Sequence, residues 1–287
     1  MRTRIGNLRR SRRERYFARA AEHTPYLAVE AQGATYVVST RDRNIGRRLF
    51  VNRNRKEFGH LRSALRAIAS ATGEPASGTI LDVGANIGTT AIPAVLAHGF
   101  DRALALEPSP QNYRLLVLNV HANGLADRIV TLPLAASDER GVTRFDIGFA
   151  NSGKHRVLGP AEDGHDVIEV ETTTLDTLAE QGLFDAAETG LLWMDVEGHE
   201  GRVLAGGRSL LELGVPVVAE VAPARDTNRG IVVDHVLALL AAHYTHFLDL
   251  RREWDEHPPF QTDLHALVAD YPNGFTDVLA LKLAGAN

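Results

Sequence analysis

From Thr79 onward the chain alternates short apolar runs with amphipathic stretches. Thr79-Ile80-Leu81-Asp82-Val83 predicts a buried strand, followed by a glycine-containing turn and a helix to about His98. Ala103–Leu106 predicts a second strand. Ser109-Pro110 then opens a helix with a hydroxyl cap and a proline at its first position, and Gly124 closes it. Ile129–Ala136, Leu191–Val196 and Val215–Val221 predict the third, fourth and fifth strands, with a helix from about Glu200 to Glu212 before the last. This alternation implies a parallel sheet with helices on both faces.

The two flanks read differently. Tyr26–Val29, Tyr36–Ser39 and Arg48–Val51 predict short strands with turns at Gly33 and Gly46, and Phe58–Ala71 predicts a helix stopped by Gly73-Glu74-Pro75. Residues 1–75 therefore form a basic arm and a small α+β extension, and residues 76–287 the main domain. Val232–His243 and Asp263–Asp270 read as helical, and Thr245–Leu250 and Asp277–Leu283 as strands that pair antiparallel and finish the sheet. An insertion at about 138–190 carries two more strands, Thr143–Ile147 and Val167–Thr173, beside the edge where a substrate cover belongs.

Composition narrows the class. Of 287 residues 44% are hydrophobic and 23% charged, which excludes wholesale disorder. The absence of cysteine excludes a disulfide framework, a thiolate zinc site and a cysteine nucleophile. No apolar run is long enough to span a membrane, and no secretory signal is visible, so a cytoplasmic location is expected. Residues 1–20 hold eight arginines against Glu14, a net +7, while the whole chain carries −5. A nucleic-acid role for this arm is disfavoured, because no interleaved aromatics or nucleic-acid motif accompany the arginines.

The chemistry concentrates after the first predicted strand. Leu81-Asp82-Val83-Gly84-Ala85-Asn86-Ile87-Gly88 sits where an open α/β sheet binds ligands; Gly84 permits the turn and Gly88 a close helix approach. Glu107 ends the second strand, where a carboxylate accepts hydrogen bonds from ribose hydroxyls. The motif reads G-x-N-x-G rather than G-x-G-x-x-G. It lacks the tight pyrophosphate cradle and suits a ligand without phosphate, such as S-adenosylmethionine.

The runs LDVGANIG, ALEP and LLWMDVEGHEGRVLAGG at 191–207 resemble the FkbM-type S-adenosylmethionine-dependent methyltransferases, over about residues 45–222. The resemblance implies a Rossmann-like class I methyltransferase fold: a seven-stranded, mostly parallel sheet with a C-terminal antiparallel pair. It also implies that Gly84, Asn86, Gly88 and Glu107 wrap the methionine and ribose portions of the cofactor. Many members carry a lysine two residues before the aspartate of the second motif; this chain has Trp193 there.

Asp195, Glu197, His199 and Glu200 fall within six residues where the fourth strand turns into its helix. Methyl transfer to a hydroxyl needs a group that takes the acceptor proton, which makes Asp195, Glu197 and His199 the catalytic candidates. The plainer alternative makes Asp195 a helix cap and Glu200 a partner of the helix dipole. Glu220 ends the apolar fifth strand, so Asp195 and Glu220 are candidates to share one Mg²⁺. Asp82, Asn112 and Asp138 join the cofactor candidates, Asp138 toward the adenine amino group, while Asn119 reads as polar helix surface. Asn151, Ser152, Gly153 and His155 are candidates for the acceptor side; Trp254, with Arg251 and Arg252, reads equally as packing or binding. The expected activity is O-methylation of a sugar, glycolipid or polyketide-type acceptor. The alternatives are a nicotinamide-dependent oxidoreductase, which the missing third glycine opposes, and a non-catalytic cofactor or nucleic-acid binder.

Overall fold

A computed structural model describes residues 2–148, 152–159, 162–222 and 233–283, with side chains from Arg10 onward except at 233 and 234. In chain order, helix α1 (Arg2–Ala20) leads into the hairpin β1 (Tyr26–Ala31) and β2 (Ala34–Ser39), then helices α2 (Ile45–Asn52) and α3 (Lys56–Thr72). Next come β3 (Thr79–Val83), α4 (Ala91–Ala97), β4 (Arg102–Leu106), α5 (Pro110–Ala122) and β5 (Ile129–Leu132). Strands β6 (Ala135–Ala136), β7 (Gly141–Asp146), β8 (Arg156–Val157) and β9 (Val167–Thr173) build the insertion. The chain continues with α6 (Leu175–Glu180), β10 (Thr189–Met194), α7 (Glu200–Ala205), α8 (Arg208–Leu213) and β11 (Val217–Val221). It closes with α9 (Val233–His243), β12 (His246–Asp249), α10 (Leu264–Ala269) and β13 (Thr276–Leu281).

Seven strands form the central sheet in the order β12-β13-β11-β10-β3-β4-β5. The five strands read as parallel pair that way, and β13 runs antiparallel to both β11 and β12, as the C-terminal pattern predicts. Register matters most for function. Val83 lies opposite Leu106 and Met194, Met194 opposite Ala219, and Glu220 opposite Asp277. The residues just beyond these pairs therefore fall on one line across the sheet: Glu107, Gly84, Asp195, Glu220 and Asp277. Neighbouring strands are about 4.8 Å apart, so this line brings four carboxylates to one edge.

Three expectations are corrected. Arg48–Val51 belongs to helix α2, which buries Ile45 and Leu49, one helical turn apart, together with Gly46 and Val51. The third predicted strand breaks at Pro133: β5 stays in the central sheet, while β6 leaves it to pair with β9. The long helix after the fourth strand splits into α7 and α8 at Gly206-Gly207. A β-carbon on Gly206 would lie 2.0 Å from the Ser137 carbonyl oxygen, so the backbone passes where no side chain fits.

The arginine-rich segment is a helix docked on its neighbour. Phe17 is buried, Tyr16 stacks on Phe50, and Glu14 pairs with Arg47. One cluster of buried side chains runs from Phe17, Tyr36 and Phe58 through Ile80, Ile92 and Leu116, joining the extension to the near face of the sheet. Asn119 fastens the same junction. It is fully buried rather than surface-exposed; its Oδ1 accepts from Val37 N–H at 2.6 Å, and its Nδ2 donates to the Ile87 carbonyl at 2.9 Å.

Candidate active site

The carboxyl ends of β3, β4, β10 and β11 open into a cleft of about 790 Å³. Its floor carries Gly84, Asn86, Glu107, Asp195, Glu197 and Glu220; α2, the start of α3 and the insertion supply its walls. In an open α/β sheet this crevice is where ligands bind.

The turn after β3 is held from below. Asp82 is buried and accepts from the first N–H of α4, at Ala91, at 2.8 Å; burial pushes its carboxyl up to about 7. Gly84 adopts φ +83°, and a β-carbon there would lie 2.2 Å from the Asp195 carbonyl oxygen. Glycine therefore lets the ends of β3 and β10 approach. At Gly88 a β-carbon would meet the side chains of Ile92 and Leu116. Asn86 takes the left-handed conformation at φ 52°, which asparagine tolerates better than most residues. Its buried Oδ1 has no hydrogen-bond partner among the described residues.

Glu107 accepts from Asn86 N–H and Ser109 N–H, both at 2.8 Å. Burial raises its carboxyl to about 7 against those two donors. Ser109 occupies the predicted cap position of α5, but its hydroxyl makes no cap bond and instead lies 3.2 Å from His155 Nδ1. Asn112 is buried off the cleft wall and, with Asn86, directs its amide at the Ser152 carbonyl. Ser152 in turn donates to Asp42 Oδ2 at 2.6 Å, tying insertion to extension. Gly153 and His155 line the cleft; Asn151 lies outside the described residues. Asp138 is exposed, off the wall, and engaged by Arg202 at 2.9 Å. Trp254 packs against the core beneath Arg66, Arg252 pairs with Asp249, and Arg251 reaches the cleft.

Asp195 is not a helix cap: α7 begins at Glu200, and its N-cap position is His199. Glu200 sits in the first turn and accepts from Val196 N–H. Asp195, Glu197 and Glu220 each bring a carboxylate oxygen to within 4.8 Å of the others. Burial raises Asp195 and Glu220 above ordinary carboxylates, Lys56 opposes this at Asp195, and mutual repulsion adds to it. Glu197 is held at φ 54°, a conformation that strains a non-glycine residue and concentrates at functional sites. His199 contradicts the expectation of a near-neutral base. Its Nε2 lies 3.0 Å from Ser137 Oγ, and burial, with help from Arg202, lowers it to about 4.

The sequence reading missed Lys56. This side chain, at the start of α3, reaches Glu220 at 3.9 Å and Asp277 at 3.8 Å. Burial works against its charge, but Asp277, Asp195, Glu57 and Glu220 outweigh that and raise its pKa. His60 adds a contact to Asp277 at 3.1 Å. The local signal was a polar run, Arg53-Asn54-Arg55-Lys56-Glu57, which carries no spacing that points to a distant sheet edge.

Strand order, the antiparallel β13 and this cleft define a Rossmann-like class I methyltransferase fold. The family model described as "Methyltransferase FkbM domain" matches residues 82–249, and the chain belongs to that methyltransferase family. It is 32% identical over 194 residues to the 31-O-demethyl-FK506 methyltransferase FkbM of Streptomyces tacrolimicus, covering 57% of this chain and 71% of that protein. Among solved structures, the methyltransferase FkbM from Methylobacillus flagellatus KT aligns with 17% identity and a TM-score of 0.42. That alignment covers 71% of this chain and 43% of the other, so this chain spans less than half of it. The O-methyltransferase from Bacillus cereus, crystallised with SAH, aligns with 14% identity and a TM-score of 0.39, covering 79% and 80%. Among the described residues, no helix is long and apolar enough to cross a membrane.

Proposed function

We propose that this chain uses S-adenosylmethionine to methylate a hydroxyl of a small acceptor, such as a sugar, glycolipid or polyketide-type product. The carrying observation is the line of Glu107, Gly84 and Asp195 along one cleft, with the orphaned Asn86 Oδ1 between the first two. A buried acceptor atom left without a donor is costly, and a ligand donor would satisfy it. Glu107 would receive the ribose hydroxyls, and the turn at Gly84–Asn86 the amino-acid portion. When bound, the cofactor would supply an electrophilic methyl on a sulfonium, its sulfur keeping the electron pair of the broken carbon–sulfur bond as a neutral thioether.

The remaining steps belong to this chain's residues. The cleft walls from α2 and the insertion orient the acceptor oxygen. As the new oxygen–carbon bond forms, the acceptor proton passes to the Asp195 carboxylate, whose basicity burial has raised toward neutrality. Lys56 offsets the charge of the neighbouring carboxylates. His199, lowered to about 4, is a poor base, and its bond to Ser137 gives it a role in shaping the wall. A second reading rests on the mutual closeness of Asp195, Glu197 and Glu220: a divalent cation such as Mg²⁺ held there would lower the acceptor hydroxyl's pKa instead.

Calorimetric titration with S-adenosylmethionine and with NAD tests the cofactor. Binding of S-adenosylmethionine is expected, weakened about 10- to 100-fold in Glu107→Ala by loss of charge-assisted hydrogen bonds. Binding of NAD alone would refute the proposal in favour of an oxidoreductase.

A further inference from the structure

The cleft has an acidic floor and a basic rim, and the two differ in how their charges are satisfied. Of the cations facing it, Arg55 is spent on Glu57 in a buried ion pair and Lys56 on Glu220 and Asp277. Arg251 donates to the Phe275 carbonyl and lies over that ring at 4.4 Å. Three cations remain. Arg10 from α1, Arg48 from α2 and Lys154 from the insertion line the same cleft, are exposed, and make no ion pair among the described residues.

Unpaired surface arginines are common on this chain, although nearby Arg47 does pair with Glu14 and Arg156 with Glu162. What sets these three apart is that they line one cleft. Three separated segments thus deliver unspent positive charge to one rim, and Asn44, Asn52 and Asn54 line the same cleft. Guanidinium and ammonium donors set among amides suit an oxyanion carried on a hydroxyl-rich body.

We propose that Arg10, Arg48 and Lys154 bind an oxyanion group, phosphate or carboxylate, on the methyl acceptor and so select acidic acceptors over neutral ones. Naming this ligand as the acceptor rests on the methyl-transfer reading above; the anion site itself does not. With the anion gripped at the rim, the acceptor's hydroxyl face points down toward Asp195.

The test has two arms. The protein is titrated at fixed ionic strength with glucose 6-phosphate, glucuronate and glucose, with and without S-adenosylhomocysteine. At least one acidic sugar is expected to bind about tenfold or more tighter than glucose, a difference removed in Arg10→Gln/Arg48→Gln/Lys154→Gln. The tighter of the two identifies phosphate or carboxylate. Equal binding of all three, no binding of either acid, or an unchanged preference in the triple variant overturns the site. In the second arm, labelled S-adenosylmethionine and a metabolite extract are incubated with the enzyme and separated by anion exchange. Label in the retained fraction is expected; label confined to the neutral flow-through overturns the acceptor assignment. Failure of S-adenosylmethionine to bind at all would instead strike the methyl-transfer reading, while the sugar titration still decides the anion site.

Discussion

Removing the Asn119 side chain should loosen the extension from the cofactor turn, and the cost can be worked from its bonds. Asn119→Ala leaves the Val37 N–H and the Ile87 carbonyl without their partners at 2.6 and 2.9 Å; Asn119 and Ile87 are buried and Val37 half-buried. An abandoned buried backbone group costs about 1–3 kcal/mol, and the edge position of Val37 lets water reach it, so the sum is about 3 kcal/mol. At about 2–4 °C per kcal/mol for a chain of this size, Tm should fall by about 6–12 °C. Differential scanning calorimetry measures this directly. Asn123, half-buried and bonded to Thr35 N–H at 2.8 Å, makes the comparison variant, and Asn123→Ala should cost about a third as much. Because Ile87 belongs to the turn after β3, cofactor affinity should fall along with stability. An Asn119→Ala protein that melts within about 1 °C of the parent would show that the junction is held by apolar packing alone, and the argument from these bonds would fail.

Two further outcomes concern the site. His199 is lowered to about 4 in the fold and returns to about 6.5 on unfolding, so the unfolded chain binds the extra proton between those values. His199 alone therefore withdraws stability as pH drops from about 6.5 toward 4, while the raised carboxyls of Asp82, Glu107, Asp195 and Glu220 add stability over the same range. The histidine's share is read as a difference: relative to the parent, His199→Gln should gain stability in thermal melts as pH falls through that window, while the pH profile of kcat keeps its shape; a lost inflection in that profile would restore histidine as the base. Asp195→Asn should reduce kcat about 10²–10⁴-fold with cofactor affinity changed only a few-fold, and a chelator should leave the parent enzyme unaffected. Activity lost in chelator and restored by Mg²⁺ would replace the Lys56-balanced cluster with the metal reading.

What the sequence disclosed was local. The run Thr79–Val83, its glycine turn and Glu107 at the next strand end declare themselves by period and spacing, and the parallel sheet follows from alternation. Asp195 and Glu220 were legible for the same reason: each ends an apolar run. Contacts between distant segments were not. Lys56 meets Asp277 across more than two hundred positions, and nothing near either residue announces the other. Asn119 looked like surface because its helix is amphipathic, whereas the extension covers that face. Part of the short helix at Ile45–Asn52, Arg48–Val51, was misread as a strand because Arg47 and Arg48 interrupt its buried positions Ile45, Gly46, Leu49 and Val51. The pKa of His199 was hidden for a different reason: a reference value presumes full hydration, and here partial burial, with Arg202 near, lowers it.

Strand β13 lies between β11 and β12, yet it is synthesised after both. Until it emerges from the ribosome, β12 has only its bridge from Phe247 to Gln261, β11 has an open edge, and Lys56 lacks Asp277. The nascent chain therefore carries its cofactor turn for nearly two hundred residues before the carboxylate line is complete. A message truncated just before Thr276 would thus yield a product with the whole of its family signature, an unpaired and sticky sheet edge, and an unfinished site.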